Sequence, residues 1–581
     1  MNTARDLRGA DPIAEPVAGV APADSALRRA GSVAAVLALV SVPLFFRLGA
    51  WPLMDPDEGR NAEIAREMLA AGSWLVPHFN GLPFLDKPVG LFWMIAAAFR
   101  LVGVGELGAR LPSALGAVVL MLTTFAIARR MLGTREGLVA VCLLGTAPLV
   151  LIFGRLTIFD MPFTALVAVA IWALVEGRLS PDGRRWHVLA GLAMGCATLT
   201  KGPVGVAVPM LAWLAARGSL PRPNGASPRA SLGRSPMIAA SLAFVVVVAP
   251  WVIAVAAREP GFLRYALVEE TFLRFAAPER FNRSGPVYLP TLVLLGGFGV
   301  WSAVLAAVAP ALMRRAGDGS SRARAIRFVG RMAVAILVLF TMSASKRPGY
   351  VLPALVPLAI LTAVGILEAP RRAAAAVRVV AVCAMLVGLA VSVGTVHEGW
   401  FAGATLAEAN PAFTGEVLLA GGTIVLIWGV FTAASSRAWP VATLVLAGVL
   451  MPAFHAGLLG PLSTWAESRS ARGIAGQIDP QAELIAYRAF PTSLPFYRRR
   501  AVPLASESGR ELTSNYVLWQ LDRFRAGDLL DHPRDVWARL AAPPPVYVLA
   551  GLSWERLLRR RSPRPLARVG NDGHYVLLAT Q

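Results

Sequence analysis

The sequence predicts an α-helical membrane protein that crosses the bilayer many times and ends in a small α/β domain. Its 581 residues are 56% hydrophobic and 16% charged, with a mean hydropathy of +0.58. That is too apolar for one soluble core of this length. Apolar runs of about 17 to 25 residues recur between Gly-, Pro- or Arg-rich breaks, which is the length a helix needs to cross about 30 Å of hydrocarbon. The runs do not alternate as the strands of a membrane β-barrel would.

The order of apolar and polar segments predicts three regions. Residues 1–30 are rich in Ala, Pro and Asp and hold no long apolar run, so we expect a disordered cytoplasmic tail. Residues 31–460 are the predicted transmembrane domain with about thirteen spans, and a first outer loop at about residues 50–108. The predicted spans lie near 31–49, 109–128, 137–154, 160–176, 186–200, 203–217, 237–257, 287–312, 328–344, 350–367, 374–395, 415–434 and 439–460.

The loops between these spans predict the orientation. Every second loop is basic, as the positive-inside rule requires of cytoplasmic loops. These loops are 129–135, 177–185, 217–234, 314–327, 369–372 and 435–437. An odd number of spans then sends residues 461–581 to the outer side. There, "ELIAYRAF", "PPPVYVLAGLSWERLLRR" and "HYVLLAT" predict a strand, a strand followed by a helix, and a strand.

Charge and cysteine content exclude some classes of function. The net charge of +21 would suit nucleic acid, but most arginines fall in the short breaks between spans, where membrane topology explains them. We therefore predict the lipid bilayer as a partner, and no nucleic acid. Cys142, Cys196 and Cys383 lie inside apolar runs and read as core residues rather than as disulfides or metal ligands.

Lysine is used sparingly. Of the 56 lysine and arginine residues only Lys87, Lys201 and Lys346 are lysines, and all three fall in breaks on the predicted outer side. Lysine presents a compact point charge to a phosphate group. Snorkelling from the end of a span is the alternative explanation for any one of them.

Carboxylates collect on the same side. Asp57 and Glu58 begin an amphipathic pattern in the first outer loop, "MDPDEGRNAEIAREM", which also contains Arg60. Helix capping alone would account for both carboxylates. The break "GRLTIFDMPF" holds Arg155 and Asp160, where Asp160 has the same alternative as an N-cap.

Two Gly-Pro breaks complete the set. "LTKGPVG" contains Lys201, and "SASKRPGYVLP" contains Lys346, Arg347 and Tyr350. Proline and glycine at membrane depth free backbone groups that need partners, so such breaks tend to line cavities. The residues thus predict an outer cavity of mixed charge, suited to a phosphate and to a sugar or hydroxyl group. No P-loop, G-x-S-x-G or H-E-x-x-H motif is present, and a divalent cation stays open as a cofactor.

Five segments of the sequence resemble a known family. "DEGRNAEIAREMLAAGSWLVPHFNGLPFLDKP" (57–88) is similar to the first outer loop of the polyprenyl-phosphate-dependent membrane glycosyltransferases, the ArnT-like and protein O-mannosyltransferase family. "RLTIFDMP", "LTKGPVG", "SKRPGYVLPALVPLAIL" and "SLPFYRRR" follow in the family's order. The resemblance implies a GT-C fold, a bacterial inner-membrane location and an active site that faces the periplasm.

The resemblance also implies roles for the residues. Asp57 and Asp160 would be the catalytic carboxylates, with Glu58 and Arg60 supporting the first of them. Asp86 and Lys87 would meet the carrier phosphate, and Lys87 would neutralise it as it leaves. The remaining residues expected to line the cavity and bind substrate are Arg155, Lys201, Lys346, Arg347 and Tyr350.

The substrates stay open at this point. The resemblance implies inverting transfer from a polyprenyl-phosphate-linked sugar, with 4-amino-4-deoxy-L-arabinose and lipid A as one donor and acceptor. Asp86 stands where ArnT-like sequences usually carry Glu, and Asn61 where an aromatic residue is common. The alternatives are a relative that glycosylates protein hydroxyls or another envelope glycan, and a transporter of lipid-linked substrates. The sequence lacks the internal repeat that a transporter would favour.

Overall fold

The protein is described by a computed structural model covering residues 23–180, 183–220, 234–273, 285–396, 420–423, 463–525, 527–543 and 545–581. The helices before residue 260 are α1 (Ala23–Phe45), α2 (Asp57–Ala71), α3 (Gly90–Val102), α4 (Glu106–Met131), α5 (Thr134–Gly145), α6 (Pro148–Phe153), α7 (Asp160–Leu179), α8 (Arg184–Lys201), α9 (Val204–Ala216) and α10 (Arg234–Arg258). A short helix, Phe262–Arg264, and a π-helix, Tyr265–Leu273, come next. The later membrane-region helices are α11 (Leu289–Phe298), α12 (Val300–Ala316), α13 (Ser321–Met342), α14 (Leu352–Glu368) and α15 (Pro370–Val396).

The predicted spans correspond to helices wherever the structure describes them. In the described part of the chain six helices are long and apolar enough to cross a membrane, or seven if one bent pair is counted as a span. Other predicted spans are helices that fall short of this for different reasons. α9 has only 13 residues, whereas α8 has 18 but is less apolar, since it carries Arg184, Arg185 and Lys201. The predicted count of thirteen is therefore not reached here, and the last two predicted spans lie almost wholly outside the described residues. α1 begins at Ala23, ahead of the predicted start at residue 31.

Two predicted spans are each broken into two helices. The run 137–154 divides into α5 and α6, and the run 287–312 into α11 and α12, which meet at 98°. Pro148 and Gly299 stand at the breaks, and Gly299 has φ +62°, a conformation that glycine adopts without strain. The breaks pack together, since Trp301 Nε1 donates to Thr146 Oγ1 at 3.0 Å. The hydroxyl of Thr146 in turn donates to the carbonyl of Cys142, which satisfies a helix end.

The first outer loop folds around a tight hairpin. Strands β1 (His78–Phe79) and β2 (Leu82–Pro83) pair antiparallel across Asn80 and Gly81, both at positive φ. An Asn-Gly pair is the favoured sequence for this two-residue turn. The side chain of Asn80 donates to the carbonyl of Val502 at 2.8 Å and accepts from its N–H at 2.7 Å. The hairpin thereby joins the C-terminal region to the loop that carries Lys87.

The C-terminal region contains a six-stranded mixed sheet. Its strands are β3 (Glu483–Tyr487), β4 (Leu504–Ala505), β5 (Leu530–Asp531), β6 (Val546–Gly551), β7 (Leu566–Asn571) and β8 (Tyr575–Thr580), in the order β5-β4-β3-β6-β8-β7. Its helices are α16 (Arg472–Ala475), α17 (Leu494–Arg498), α18 (Asn515–Trp519), α19 (Leu521–Phe524), α20 (Val536–Leu540) and α21 (Glu555–Arg561). The three predicted strands are β3, β6 and β8. The other three were not predicted, because two are only two residues long and the third, "LARVGN", lacks apolar alternation.

The two faces of this sheet have different partners. Along β3, Leu484 and Ala486 belong to a hydrophobic cluster that also contains Phe79, Phe84 and Phe92 of the first outer loop. Their neighbours Ile485 and Tyr487 pack on the other side with α20 and α21. Because one core is shared, the C-terminal sheet and the first loop form one unit above the helices. That contact decides which C-terminal residues reach the site.

Candidate active site

A large cavity lies between the first outer loop, the membrane helices and the C-terminal region. Its volume is about 1710 Å³, and its wall includes the N-termini of α2 and α7, the loop before α3, and the break after α8. The 262–271 segment, the loop 343–350 and residues 510–518 close the remaining sides. Eight of the eleven predicted site residues line it: Asp57, Arg60, Asp86, Lys87, Asp160, Lys201, Arg347 and Tyr350. Four of the five islands seen in the sequence therefore converge on one volume, whereas "SLPFYRRR" (493–500) contributes no lining residue.

Lys87 is held at the cavity wall by a carboxylate. Its Nζ lies 2.5 Å from Glu270 Oε1 of the π-helix, and both side chains are largely buried. Leu85 and Val89, two residues before and after Lys87, both belong to the shared core, so the backbone of Lys87 is fixed on both sides. A buried ammonium at this place offers a cation to an anionic ligand, which would compete with Glu270 for it.

Lys201 and Asp160 form a second ion pair. Lys201 Nζ lies 2.6 Å from Asp160 Oδ1 and about 5 Å from the ring centroids of Phe163 and Tyr350. A Cβ on Gly349 would overlap the Asp160 carboxylate, so only glycine lets the loop approach this closely. Asp160 is the first residue of α7, but the N-cap position is Phe159 and no side chain caps the helix, so the N-cap explanation of Asp160 is wrong. Its carboxylate faces the cavity instead.

Asp57 is the most exposed of the predicted carboxylates. Its side chain is 57% exposed at the first turn of α2, where it pairs with Arg60. Arg60 also donates to Thr513 Oγ1 at 2.8 Å and lies over the ring of Phe84. Arg60 therefore joins the first outer loop to the C-terminal region, while the Asp57 carboxylate stays accessible to a ligand.

Three of the predicted substrate-binding residues lie behind the wall of the cavity. For these three we correct the prediction that the side chain contacts substrate directly. Glu58 is buried against Arg110, which donates to both carboxylate oxygens at 2.9 Å. Arg155 donates to carbonyls at the end of α1, including that of Phe46 at 2.9 Å. Lys346 donates to the last carbonyls of α13, including that of Thr341 at 2.7 Å. Each of these charged groups is bound by other groups of the protein, since a buried charge needs a partner.

Asp86 lines the cavity, but its carboxylate is already engaged. It accepts hydrogen bonds of 2.7 Å from Tyr265 Oη and from the backbone N–H groups of Asn515 and Tyr516, at the start of α18. A carboxylate at a helix N-terminus is stabilised by the free N–H groups there. Asp86 therefore ties the 262–273 segment and the C-terminal region to the loop that carries Lys87.

Replacing Asp86 with alanine should loosen the C-terminal region. The loss of hydrogen bonds to a charged group costs about 1.5–3 kcal/mol. The C-terminal region should then be locally unfolded, and so open to protease, roughly tenfold more often or above. We expect a matching rise in the rate of trypsin cleavage within residues 463–581. In the control Glu507→Ala, which breaks an exposed ion pair with Arg488, the rate should stay at the wild-type value. Equal rates for both variants would contradict this anchoring role.

The structure adds residues to the site that the site prediction omitted. Glu270, Arg510, Thr513 and Asn515 all line the cavity. Three of them come from the C-terminal region, where no local pattern marks them. Outside the cavity lining, Asp55 accepts from Thr492 Oγ1 at 2.8 Å and from Ser493 N–H at 2.6 Å. Removal from water raises the pKa of Asp55 to about 6.

The cavity carries charges of both signs. Five cationic side chains and four carboxylates line it: Arg60, Lys87, Lys201, Arg347 and Arg510, and Asp57, Asp86, Asp160 and Glu270. Within the described residues no group of three or more His, Cys, Asp or Glu side chains converges as a metal site would. The arrangement suits anionic ligands such as phosphates, with carboxylates in reach of hydroxyl or amino groups.

Comparisons with known proteins agree with this chemistry. Residues 86–253 match the family model described as dolichyl-phosphate-mannose-protein mannosyltransferase. The undecaprenyl phosphate-alpha-4-amino-4-deoxy-L-arabinose arabinosyl transferase of Edwardsiella ictaluri is 32% identical over 71% of this chain and 73% of that protein. The protein of the same name from Pseudomonas aeruginosa strain UCBPP-PA14 is 34% identical over 56% of this chain, which spans 58% of its length.

A solved structure extends the similarity to nearly the whole chain. The crystal structure of ArnT from Cupriavidus metallidurans bound to undecaprenyl phosphate superposes with a TM-score of 0.78 at 25% identity. The match covers 94% of this chain and 98% of that one, including the C-terminal region. The helical membrane core, the charged outer cavity and these relatives together show that the chain belongs to the ArnT-like family of GT-C membrane glycosyltransferases.

Proposed function

We propose that this enzyme transfers 4-amino-4-deoxy-L-arabinose from an undecaprenyl-phosphate carrier to lipid A. The observation that carries the proposal is the convergence of Lys87, Lys201 and Arg347 with Asp57 and Asp160 on one cavity. Cations there suit the phosphates of a lipid-linked donor and of an anionic acceptor. The two relatives described above carry the name of that activity.

The two ends of the molecule support one orientation in the membrane. Arg322 pairs with Glu136 and Glu368, and so joins three of the loops expected in the cytoplasm. Arg130 pairs with Glu176, which adds a fourth. The first outer loop and the C-terminal region lie together with the cavity. This arrangement supports a bacterial inner-membrane enzyme whose cavity faces the periplasm.

The chemistry proceeds with inversion at the anomeric carbon. The bond between that carbon and the carrier phosphate oxygen breaks, and its electron pair stays on the phosphate. An acceptor oxygen forms the new bond from the opposite side. Lys87 sits where it can neutralise the leaving phosphate once Glu270 yields, since a fixed cation acts on charge as it develops. Asp86 positions Lys87 through its bonds to Tyr265 and α18.

The role of Asp57 depends on the acceptor. A lipid A phosphate is already an anion and needs no base, so Asp57 would then bind the donor sugar, including its amino group. A hydroxyl acceptor would need Asp57 as general base. The match of residues 86–253 to the protein mannosyltransferase model favours a hydroxyl as the second candidate acceptor. Asp160, held by Lys201, supports the donor side of the cavity in either case.

Mass spectrometry of a reconstituted reaction tests the proposal. Wild type given the aminoarabinose donor and lipid A should lose donor and gain the matching mass on lipid A. In Asp57→Asn the gain should fall by about 10²-fold or more, because the contact to the reacting sugar is lost. Glu507→Gln, an exposed carboxylate outside the cavity, should match wild type. Folded wild type that transfers nothing to lipid A, yet modifies a hydroxyl acceptor, would replace the first candidate with the second.

A further inference from the structure

Two of the five cavity cations are not neutralised by any carboxylate within the described residues. Lys87, Lys201 and Arg60 pair with Glu270, Asp160 and Asp57. In the described part of the chain, by contrast, the guanidinium groups of Arg347 and Arg510 make no ion pair or hydrogen bond, and both residues are exposed. The cavity therefore offers two positive charges to ligands without first breaking a protein contact.

The two arginines belong to different walls. Arg347 lies in the same loop as Tyr350, whose ring contacts Lys201, so it stands with the Lys201 and Asp160 pair. Arg510 comes from the C-terminal region, on the 3₁₀ turn Arg510–Leu512. An enzyme that joins a phosphate-linked donor to a phosphate-bearing acceptor has two anions to bind, and these walls supply one unpaired cation each.

The turn that carries Arg510 is fixed beside the Asp57 end of the cavity. Thr513 N–H donates to the carbonyl of Arg510 at 3.0 Å, and Thr513 Oγ1 accepts from Arg60 at 2.8 Å. Arg60 in turn pairs with Asp57. On the other side of the turn, Ser506 Oγ donates to Glu511 Oε2 at 2.6 Å and accepts from Gly509 N–H at 3.0 Å. The backbone of Arg510 is thus held next to the exposed carboxylate of the site.

We propose that Arg510 binds a phosphate of the acceptor lipid and makes the C-terminal region part of acceptor recognition. This inference rests on the proposed function and adds a specificity-determining residue to it. A guanidinium can donate two parallel hydrogen bonds to one phosphate, which an ammonium cannot. Because no carboxylate of the described residues pairs with Arg510, a phosphate can bind it without displacing such a partner.

Steady-state kinetics of Arg510→Gln test the proposal, with lipid A bearing two phosphates as acceptor. The KM for lipid A should rise about 10- to 100-fold, as expected for the loss of a charge-assisted contact. The KM for the donor should stay within twofold of wild type. Preference for this lipid A over monophosphoryl lipid A should fall in the variant. Arg534→Gln, an exposed arginine of the same region outside the cavity, is the matched control and should leave all three values unchanged.

The outcomes separate this inference from the proposed function. An unchanged KM for lipid A in Arg510→Gln, or a rise in the KM for the donor instead, overturns the role of Arg510 while transfer by wild type upholds the function. If wild type transfers nothing to lipid A, the function fails, and the direct binding of lipid A to wild type and Arg510→Gln in the same detergent decides the role of Arg510. Weaker binding by the variant supports it, and equal binding overturns it. Arg510→Lys, which keeps the charge but not the paired hydrogen bonds, should lie between the two.

Discussion

Lys87→Ala is expected to lower kcat by about 10²- to 10³-fold, the loss typical of removing one group that stabilises a developing oxyanion. The expected loss of rate follows from the position of Lys87. Lys87 lies at the wall of the cavity, 2.5 Å from Glu270, and the hairpin and shared core fix its backbone. The donor phosphate gains negative charge as the glycosidic bond breaks, so this cation acts mainly in the transition state and less on ground-state binding. Single-turnover transfer with saturating donor measures the effect.

Two controls make the result specific. Arg130→Ala removes the cation of another ion pair, with Glu176 at 3.1 Å, whose arginine is 41% exposed at the opposite end of the protein. That variant should keep wild-type kcat. Lys87→Arg keeps the charge but changes its geometry, and it should recover part of the lost rate. Lys87→Ala protein that melts like wild type and turns over at a near wild-type rate would remove Lys87 from the mechanism.

Glu58→Gln is expected to destabilise the fold by about 3–5 kcal/mol, the usual loss when one partner of a buried ion pair is removed. Arg110 is fully buried and donates to both oxygens of Glu58 as well as to carbonyls of the segment between α1 and α2. With glutamine in place of Glu58, that guanidinium keeps its charge but loses its counter-ion. Thr157 N–H, which also donates to Glu58, keeps only a weaker acceptor. Thermal unfolding in one detergent should show a clearly lower midpoint.

Two further variants test the loss of stability in Glu58→Gln: one is a control, and the other should restore part of the stability. Glu176→Gln breaks a partly exposed ion pair and should cost less than about 1 kcal/mol. The double variant Glu58→Gln/Arg110→Met removes both charges and should recover part of the lost stability, because no unpaired charge remains. If Glu58→Gln and Glu176→Gln unfolded at the same midpoint, the buried pair of Glu58 with Arg110 would contribute no more to stability than the partly exposed pair.

Neighbouring residues in the first loop show how far the sequence could be interpreted. Asp57 and Glu58 are adjacent and were predicted to act together at the reaction centre. Consecutive residues of a helix point about 100° apart, so α2 turns Asp57 to the cavity and Glu58 to Arg110. Which of the two faces the cavity depends on where α4 packs, and Arg110 is 52 residues away in the chain. No local pattern carries that information.

The three lysines show the same difference between what the sequence predicts and what only the packing determines. All three were predicted to suit a phosphate because they are the only lysines and all fall in breaks on the predicted outer side, with snorkelling as the alternative for each. Lys87 and Lys201 line the cavity, whereas Lys346 folds back on the last carbonyls of α13. Its neighbour Arg347 takes the place at the wall. The break "SKRPG" thus lines the cavity, but which of its residues faces that cavity depends on the end of the preceding helix.

The sequence by itself determined the membrane helices, the basic loops at one end and the breaks that meet at the cavity. These features are local, because hydrophobic length, charge and Pro or Gly at a given position act over a few residues. Only the tertiary structure decided which charges face a ligand and which neutralise one another. That choice belongs to partners far apart in the chain, such as Lys87 with Glu270, Asp86 with α18, and Arg60 with the turn that carries Arg510. A buried charge takes whichever partner the packing brings near, since leaving it unpaired costs more than any local preference supplies.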